Sequence, residues 1–281
     1  MAGPVLISTD LDRTLLFSPR AIRQLGGALP ADPVETLVRT PGGQTAAELC
    51  LAARTALAAL PGHVTMCLAT SRTPARLARL TLPLRVHYSV AANGGVILAD
   101  GTPDPDWAKA IRRELRRAAP AASVLALFAT FTGRPWLERI AEPDDMCCLA
   151  LVDRAALPGG QLAEIADGCE RLGWRASLVG RKLYAFPAGF AKERAVAHVA
   201  GRLAQDRGAS PLRLAAGDTE HDRLMLEAAD LAWVPAGSEL SARPSARFRV
   251  TMLPGHRAAA QITREWLEAS ASASCPPRRA G

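Results

Sequence analysis

Two aspartates, Asp10 and Asp12, follow the apolar run Val5-Leu6-Ile7 within the stretch Ser8-Thr9-Asp10-Leu11-Asp12-Arg13-Thr14. Alternation along an extended chain puts both carboxyl-bearing residues on the same side. Two carboxylates that close repel each other, and one of them would normally take up a proton. A hard divalent cation removes the conflict, and magnesium is usually held by one or two carboxylates together with phosphate oxygens. The chemistry implied is a nucleophilic carboxylate beside a metal, placed to attack phosphorus.

A second acidic cluster lies in Gly217-Asp218-Thr219-Glu220-His221-Asp222. The spacing of Asp218 and Asp222 at the start of a predicted helix places both near its amide-rich end. A helix cap plus a first-turn acid would look the same when taken alone. Beside Asp10 and Asp12, the metal reading is the stronger of the two. Thr70-Ser71-Arg72 forms a third polar cluster; it can cap the next helix and bind phosphate at once, because helix N-termini attract anions. Lys192 opens a helix, where its charge opposes the macrodipole. Lys182, in a predicted hairpin, is the rival cation.

These residues need elements to bring them together. The first ninety residues alternate strand and helix, with strands at 5–9, 64–69 and 86–91. The segment from about 20 to 60 reads as helix-rich, broken at Pro41-Gly42-Gly43, with a helix over 46–60 by propensity. A helix over 74–80 follows, and Asn93-Gly94-Gly95 is a turn signal. Between 97 and 187 the pattern becomes α+β, with helices at 106–118 and 160–172 and a hairpin around Gly180. Alternation then resumes, with a helix at 191–205, strands at 212–216 and 231–234, and a final helix at 256–269. The expectation is therefore an α/β, doubly wound parallel-sheet (Rossmann-like) core made of 1–96 and 188–269, an inserted α+β domain at 97–187, and a disordered tail at 270–281. In an open parallel sheet, ligands bind beyond the carboxyl ends of the strands. The polar clusters at Asp10, Thr70 and Asp218 each follow a strand, so they converge if those strands are neighbours. Ser71, Arg72, Asn93 and Gly94, on the core loops, are the candidate substrate-binding residues.

Composition narrows the field. The 281 residues are 49% hydrophobic, enough for a sizeable core. The N-terminal apolar run is too short for a signal peptide, and no stretch approaches a membrane span. Six cysteines without a Cys-x-x-Cys pair suggest neither a disulfide scaffold nor a zinc site, and fit a cytoplasmic protein. Cys147 and Cys148 read as a core thiol and its outward neighbour. The net charge of +7 suits an anionic partner. Its densest run, Arg112-Arg113-Glu114-Leu115-Arg116-Arg117, reads as the solvated face of a helix. Aromatics are 5% and do not interleave with the basic residues, so no nucleic-acid partner is expected.

The motifs resemble those of the haloacid dehalogenase (HAD) superfamily of phosphotransferases, and they occur in its order. Asp10-Leu11-Asp12-Arg13-Thr14 looks like motif one, Thr70 after Met66-Cys67-Leu68-Ala69 like motif two, Lys192 within Phe190-Ala191-Lys192-Glu193-Arg194 like motif three, and Gly217 to Asp222 like motif four. Asn93-Gly94-Gly95 resembles a turn of the branch that inserts a large α/β cap between motifs two and three, the type IIB cap of Cof-like and sugar-phosphate phosphatases. The resemblance implies that Asp10 is the nucleophile and forms an aspartyl-phosphate. Asp12 would be general acid toward the leaving oxygen, then base for the hydrolytic water. Thr70 and Lys192 would hold the transferring phosphoryl group. Asp10, the backbone carbonyl of Asp12, and Asp218 would hold Mg2+, with Asp222 in support. Two residues depart from the pattern: His221 where many relatives carry Asn, and Ser71 where Gly is frequent. The stretch between motifs one and two is also longer than usual, and residues 28–48 are expected to form a flap or helix near the site.

The function expected is a magnesium-dependent phosphomonoesterase acting on a small phosphorylated metabolite. A phosphomutase using the same aspartyl-phosphate, and a non-catalytic phosphate-binding module, are the alternatives. Arg134, Trp136, Glu138 and Arg181 are candidates for specificity in the inserted domain. Oligomeric state is not readable from the chain.

Overall fold

The computed structural model describes residues 3–25, 33–39, 42–141 and 146–273. The chain opens with β1 (Val5–Thr9), buried along its whole length. A strand apolar on both faces belongs inside a parallel sheet covered on both sides. A tight turn leads to β2 (Leu16–Phe17) and α1 (Pro19–Gln24), whose first turn is capped by the Ser18 hydroxyl accepting from Ala21 N. Next come β3 (Val34–Arg39), β4 (Thr45–Cys50) and α2 (Leu51–Ala58). Then follow β5 (Val64–Ala69), a short α3 (Pro74–Leu77), β6 (Tyr88–Ala91), β7 (Val96–Ala99) and β8 (Thr102–Pro103). The middle of the chain forms α4 (Pro105–Leu115), α5 (Ala121–Ala129), β9 (Leu137–Ile140), β10 (Cys148–Val152), α6 (Gln161–Arg171), β11 (Trp174–Val179) and β12 (Lys182–Pro187). The last part is α7 (Lys192–Arg207), β13 (Leu212–Ala216), α8 (Arg223–Glu227), β14 (Leu231–Val234), β15 (Phe248–Val250) and α9 (His256–Ser272).

The large sheet runs in the order β15-β14-β13-β1-β5-β6-β7-β8. It is parallel from β15 to β6 and antiparallel beyond. Side chains of β1 alternate between two apolar layers. Val5 and Ile7 pack with α2 and α9 residues such as Ala53, Ile262 and Trp266. Leu6 packs on the other side with Ile111, Val196 and Val199 from α4 and α7. From β1 the chain crosses to β5 and β6 on one side, and later returns to β13 on the other. That reversal next to β1 is the place where open α/β sheets bind ligands.

The inserted region builds a separate antiparallel sheet in the order β11-β12-β10-β9. One of its faces is covered by α5 and α6 through Val124, Phe128, Ile165 and Cys169. The other face shares an apolar cluster with the core through Cys147, Leu149, Tyr184 and Phe186. β7, which spans the expected boundary at 96/97, and β8 pair with the large sheet rather than with this small one.

Several sequence expectations are corrected. Residues 46–50 are not helical: they belong to β4, paired with β3 and β2 in a three-stranded sheet. Alanine favours helix by propensity, but tertiary pairing overrides it. The strand is visible in burial, since Ala47 and Leu49 are buried while Ala46 and Glu48 are half-buried. Cys148 is buried in the layer under α5 and α6, and Cys147 is buried too, facing the core rather than solvent. The final helix does not end at 269 but continues to Ser272, with Ser270 fully buried, so residues 270–272 are helical rather than a tail. Residues 274–281 and the expected break at Pro41 lie outside the described residues.

Candidate active site

Asp10 is the first residue past β1, and its amide donates to the Ala216 carbonyl at 2.9 Å, which pins it between β1 and β13. It is 6% exposed. Asp218 and Asp222 sit on the loop after β13, 4% and 0% exposed. One carboxylate oxygen from each of Asp10, Asp218 and Asp222 lies within 4.8 Å of the other two.

Lys192 enters this cluster from the start of α7. Its Nζ lies 2.7 Å from Asp10 Oδ1 and 2.7 Å from Asp222 Oδ1, with the side chain 2% exposed. The awkward sign of a lysine at a helix N-terminus is thereby explained, since two carboxylates offset the macrodipole. The other oxygen of Asp222 accepts from the Asp218 amide, the Thr219 amide and the Thr219 hydroxyl at 3.1 to 3.2 Å. Asp222 thus spends both oxygens organising the loop and the lysine. Gly217 permits this closure, because a Cβ there would strike the Asp222 side chain. Asp222 stands at the N-cap position of α8 without making a side-chain cap bond. The simple capping reading of this pair therefore does not hold.

Asp12 points elsewhere. Its two oxygens take a fork from Arg72, at 2.8 Å from Nε and 2.7 Å from Nη2. Its side chain is outside the acidic cluster, and 45% of it remains exposed. Thr70 is fully buried, and its Oγ1 accepts from the Arg72 amide at 3.1 Å, so its hydroxyl proton is left free to donate. Ser71 is half-buried between them. Arg13, which the sequence reading had not singled out, places Nε 3.9 Å from Asp218 Oδ2.

Asn93 and Gly94 act as a brace between loops. The Asn93 amide donates to the Thr70 carbonyl at 2.9 Å, and the Ala92 amide to the Arg72 carbonyl at 2.8 Å. Gly94 has φ +102, and a Cβ on it would strike the backbone of Ala191, the residue before Lys192. Trp107 Nε1 donates to the Gly94 carbonyl at 2.9 Å, tying α4 to the same brace. Trp107 had carried no functional expectation; a buried indole needs a partner for its N–H, and that need is the only signal in the sequence.

The electrostatics follow from this packing. Burial pushes the Asp10 carboxyl up to about 7, with Lys192 opposing and the charges of Asp222 and Asp12 reinforcing the shift. Burial, then the charges of Asp10 and Asp222, also push Asp218 well up. Burial acts against the charged form of Lys192, but Asp10 and Asp222 more than offset it and hold the ammonium above its usual range. For Asp12, burial acts upward, while the Arg72 hydrogen bonds and charge prevail and keep the carboxyl below its ordinary value. Three buried carboxyl groups gathered within 4.8 Å of one another form the kind of oxygen cluster that a hard divalent cation satisfies. The residues present fit magnesium.

The inserted region meets the site through its β11–β12 hairpin. Ser177 hydrogen-bonds His221 Nε2, and the Tyr184 and Phe186 rings lie 6.4 and 6.2 Å from the His221 ring. Burial pushes the His221 pKa down to about 4, and Lys192 adds to the shift. Of the residues expected to set specificity, Trp136 is instead buried in the inserted region's own core against Phe131. Glu138 and Arg181 pair with each other at 3.0 Å, and Arg134 is exposed.

Sequence comparison finds no matching protein family and no matching curated protein. The sucrose-phosphatase from Synechocystis sp. PCC6803, solved with sucrose and phosphate, is similar at TM-score 0.60 and 16% identity, over 97% of this chain and 98% of that one. A sugar phosphatase of HAD subclass IIB is similar at TM-score 0.59 and 13% identity, over 93% and 98%. A trehalose-6-phosphate phosphatase related protein is similar at TM-score 0.57 and 16% identity, over 95% and 99%. The chain has the haloacid dehalogenase fold, a Rossmann-like core carrying an inserted cap.

Proposed function

We propose that this chain is a magnesium-dependent phosphomonoesterase that hydrolyses a small phosphorylated metabolite through an aspartyl-phosphate on Asp10. The observation that carries this reading is Asp10 at the end of the central strand, bonded to a buried Lys192 and beside Asp218 and Asp222. The similarity in fold to sugar phosphatases supports the substrate class. Within the expected insertion of 97–187, β7 and β8 pair with the large sheet, so 104–187 is read as the cap that closes over the site, between the core segments 1–96 and 188–269.

Asp10, Asp218 and the backbone carbonyl of Asp12 would hold the cation, with Asp222 in support. When bound, magnesium would neutralise charge between the carboxylates and the phosphoryl group. Asp10 attacks phosphorus while the leaving oxygen takes a proton from Asp12. Arg72 keeps Asp12 ionised in the free enzyme, and the incoming phosphate dianion raises its pKa so that it takes up a proton from solvent as the substrate binds and then passes that proton to the leaving oxygen. Water then attacks the aspartyl-phosphate with Asp12 as base, releasing phosphate and restoring Asp10. Thr70 donates its free hydroxyl proton to a phosphoryl oxygen, and Lys192 offsets charge as it shifts.

The test is release of phosphate from p-nitrophenyl phosphate, with and without magnesium. Asp10→Asn is expected to lower kcat by about 1,000-fold or more while circular dichroism stays unchanged. Retained turnover in that variant would overturn the mechanism.

A further inference from the structure

The cap hairpin carries a cation that the mechanism leaves unused. In β12, Lys182, Tyr184 and Phe186 share one face by strict alternation, while Leu183 and Ala185 turn into the cap's own core. Register places Tyr184 opposite Ser177 and Lys182 opposite Val179. This is the face that meets the core, since Ser177, Tyr184 and Phe186 all contact His221 on the loop carrying Asp218 and Asp222. Lys182 therefore points toward the cleft rather than away from it, and it is exposed.

Among the described residues the other cations at the cleft are committed, Arg175 by donating to the Phe190 carbonyl at 2.7 Å. Arg72 holds Asp12, Lys192 is shared by Asp10 and Asp222, and Arg13 faces Asp218. Among the described residues the Lys182 ammonium has no ion-pair or hydrogen-bond partner. Its charge nevertheless reaches Asp12 and contributes to holding that carboxyl low, as Tyr184 acts on Arg72. The transferring phosphoryl group is already served by Lys192 and Thr70. A free cation one side chain further out serves a different anion.

We propose that Lys182, beside Tyr184, recognises an anionic group on the leaving portion of the substrate, so that the enzyme prefers phosphoesters of hydroxy acids or of other anionic alcohols over esters of neutral ones. This rests on the phosphatase reading and names the substrate class within it. Lys182 is a specificity residue that acts at the far end of the substrate, with the reacting atoms handled by the core.

The experiment compares 3-phosphoglycerate with glycerol 3-phosphate, which share a three-carbon skeleton and differ in one carboxylate, using the full chain with magnesium. The ratio of kcat/KM is expected to favour 3-phosphoglycerate by about tenfold or more, the scale of one charge-assisted hydrogen bond. Lys182→Met should remove most of that preference, chiefly through KM, and Lys182→Arg should keep it. Lys109→Met, at an exposed lysine of α4, should leave the ratio as it is in the parent. A ratio near one in the parent, or the parent ratio surviving in Lys182→Met, overturns the proposal while leaving the phosphatase reading intact. No magnesium-dependent hydrolysis of either ester or of p-nitrophenyl phosphate overturns both.

Discussion

Asp222 uses both carboxylate oxygens inside the protein, one on Lys192 and one on the loop that presents Asp218. Replacing it with alanine leaves the buried ammonium to Asp10 alone and unties two amides at once. Breaking one partner of a buried ion pair costs about 3–5 kcal/mol, so Asp222→Ala should lower the thermal midpoint by many degrees, as calorimetry would show; a stability change under about 1 kcal/mol would mean the pair is solvated after all. At this scale the sequence was most legible. Asp10, Thr70 and Asp218 each follow an apolar run, and its misfit with the helix dipole marked Lys192 as odd for a plain surface residue. The division of labour was not legible. Nothing in the spacing tells that Asp12 turns to Arg72 while Asp222 turns to Lys192, because that depends on which strands become neighbours.

The elements that hold these residues meet at a small brace, the loop after β6. Gly94 combines a left-handed φ with close approach to the backbone preceding Lys192. Gly94→Ala should therefore strain the loop and displace the start of α7, lowering stability by about 1–3 kcal/mol and cutting kcat more than that loss explains; full activity at unchanged stability would show that the loop yields without cost. The turn itself could be read from Asn93-Gly94-Gly95, but its role could not, since the partner residue lies in a distant segment. The β3–β4 hairpin was misread for a related reason. Its alanines favour helix locally, and only pairing with β2 reveals the two-residue period in burial. The cap face was hidden for the opposite reason. β10 is almost wholly buried and β12 buried past Lys182, so the hydrophobic pattern does not say which side meets the core.

Across the whole molecule, stability, protonation and metal binding are linked through the same cluster. Asp10 titrates near 7 in the folded metal-free protein against an ordinary value of 3.8. Between those values the folded chain keeps a proton that the unfolded chain has lost. That contribution is fully present below the ordinary value and disappears as pH rises through the folded one. Metal must displace the proton to bind. The rise in thermal midpoint on adding magnesium should therefore be larger at pH 8 than at pH 6, as paired melting curves with and without chelator would reveal; equal shifts at both pH values would argue against a protonated Asp10.

The central strand has a temporal consequence. Ser8 of β1 donates its hydroxyl to the Leu214 carbonyl, 206 positions away, whereas the cap sheet closes within one continuous stretch of chain. During synthesis, β1 leaves the ribosome well before β13 and waits for it while the intervening chain is made. Loop-closure entropy delays such distant pairing, and local contacts form first. An apolar strand with one unpaired edge is a template for the wrong neighbour, so the nascent chain is vulnerable to aggregation until β13 appears to pair with β1.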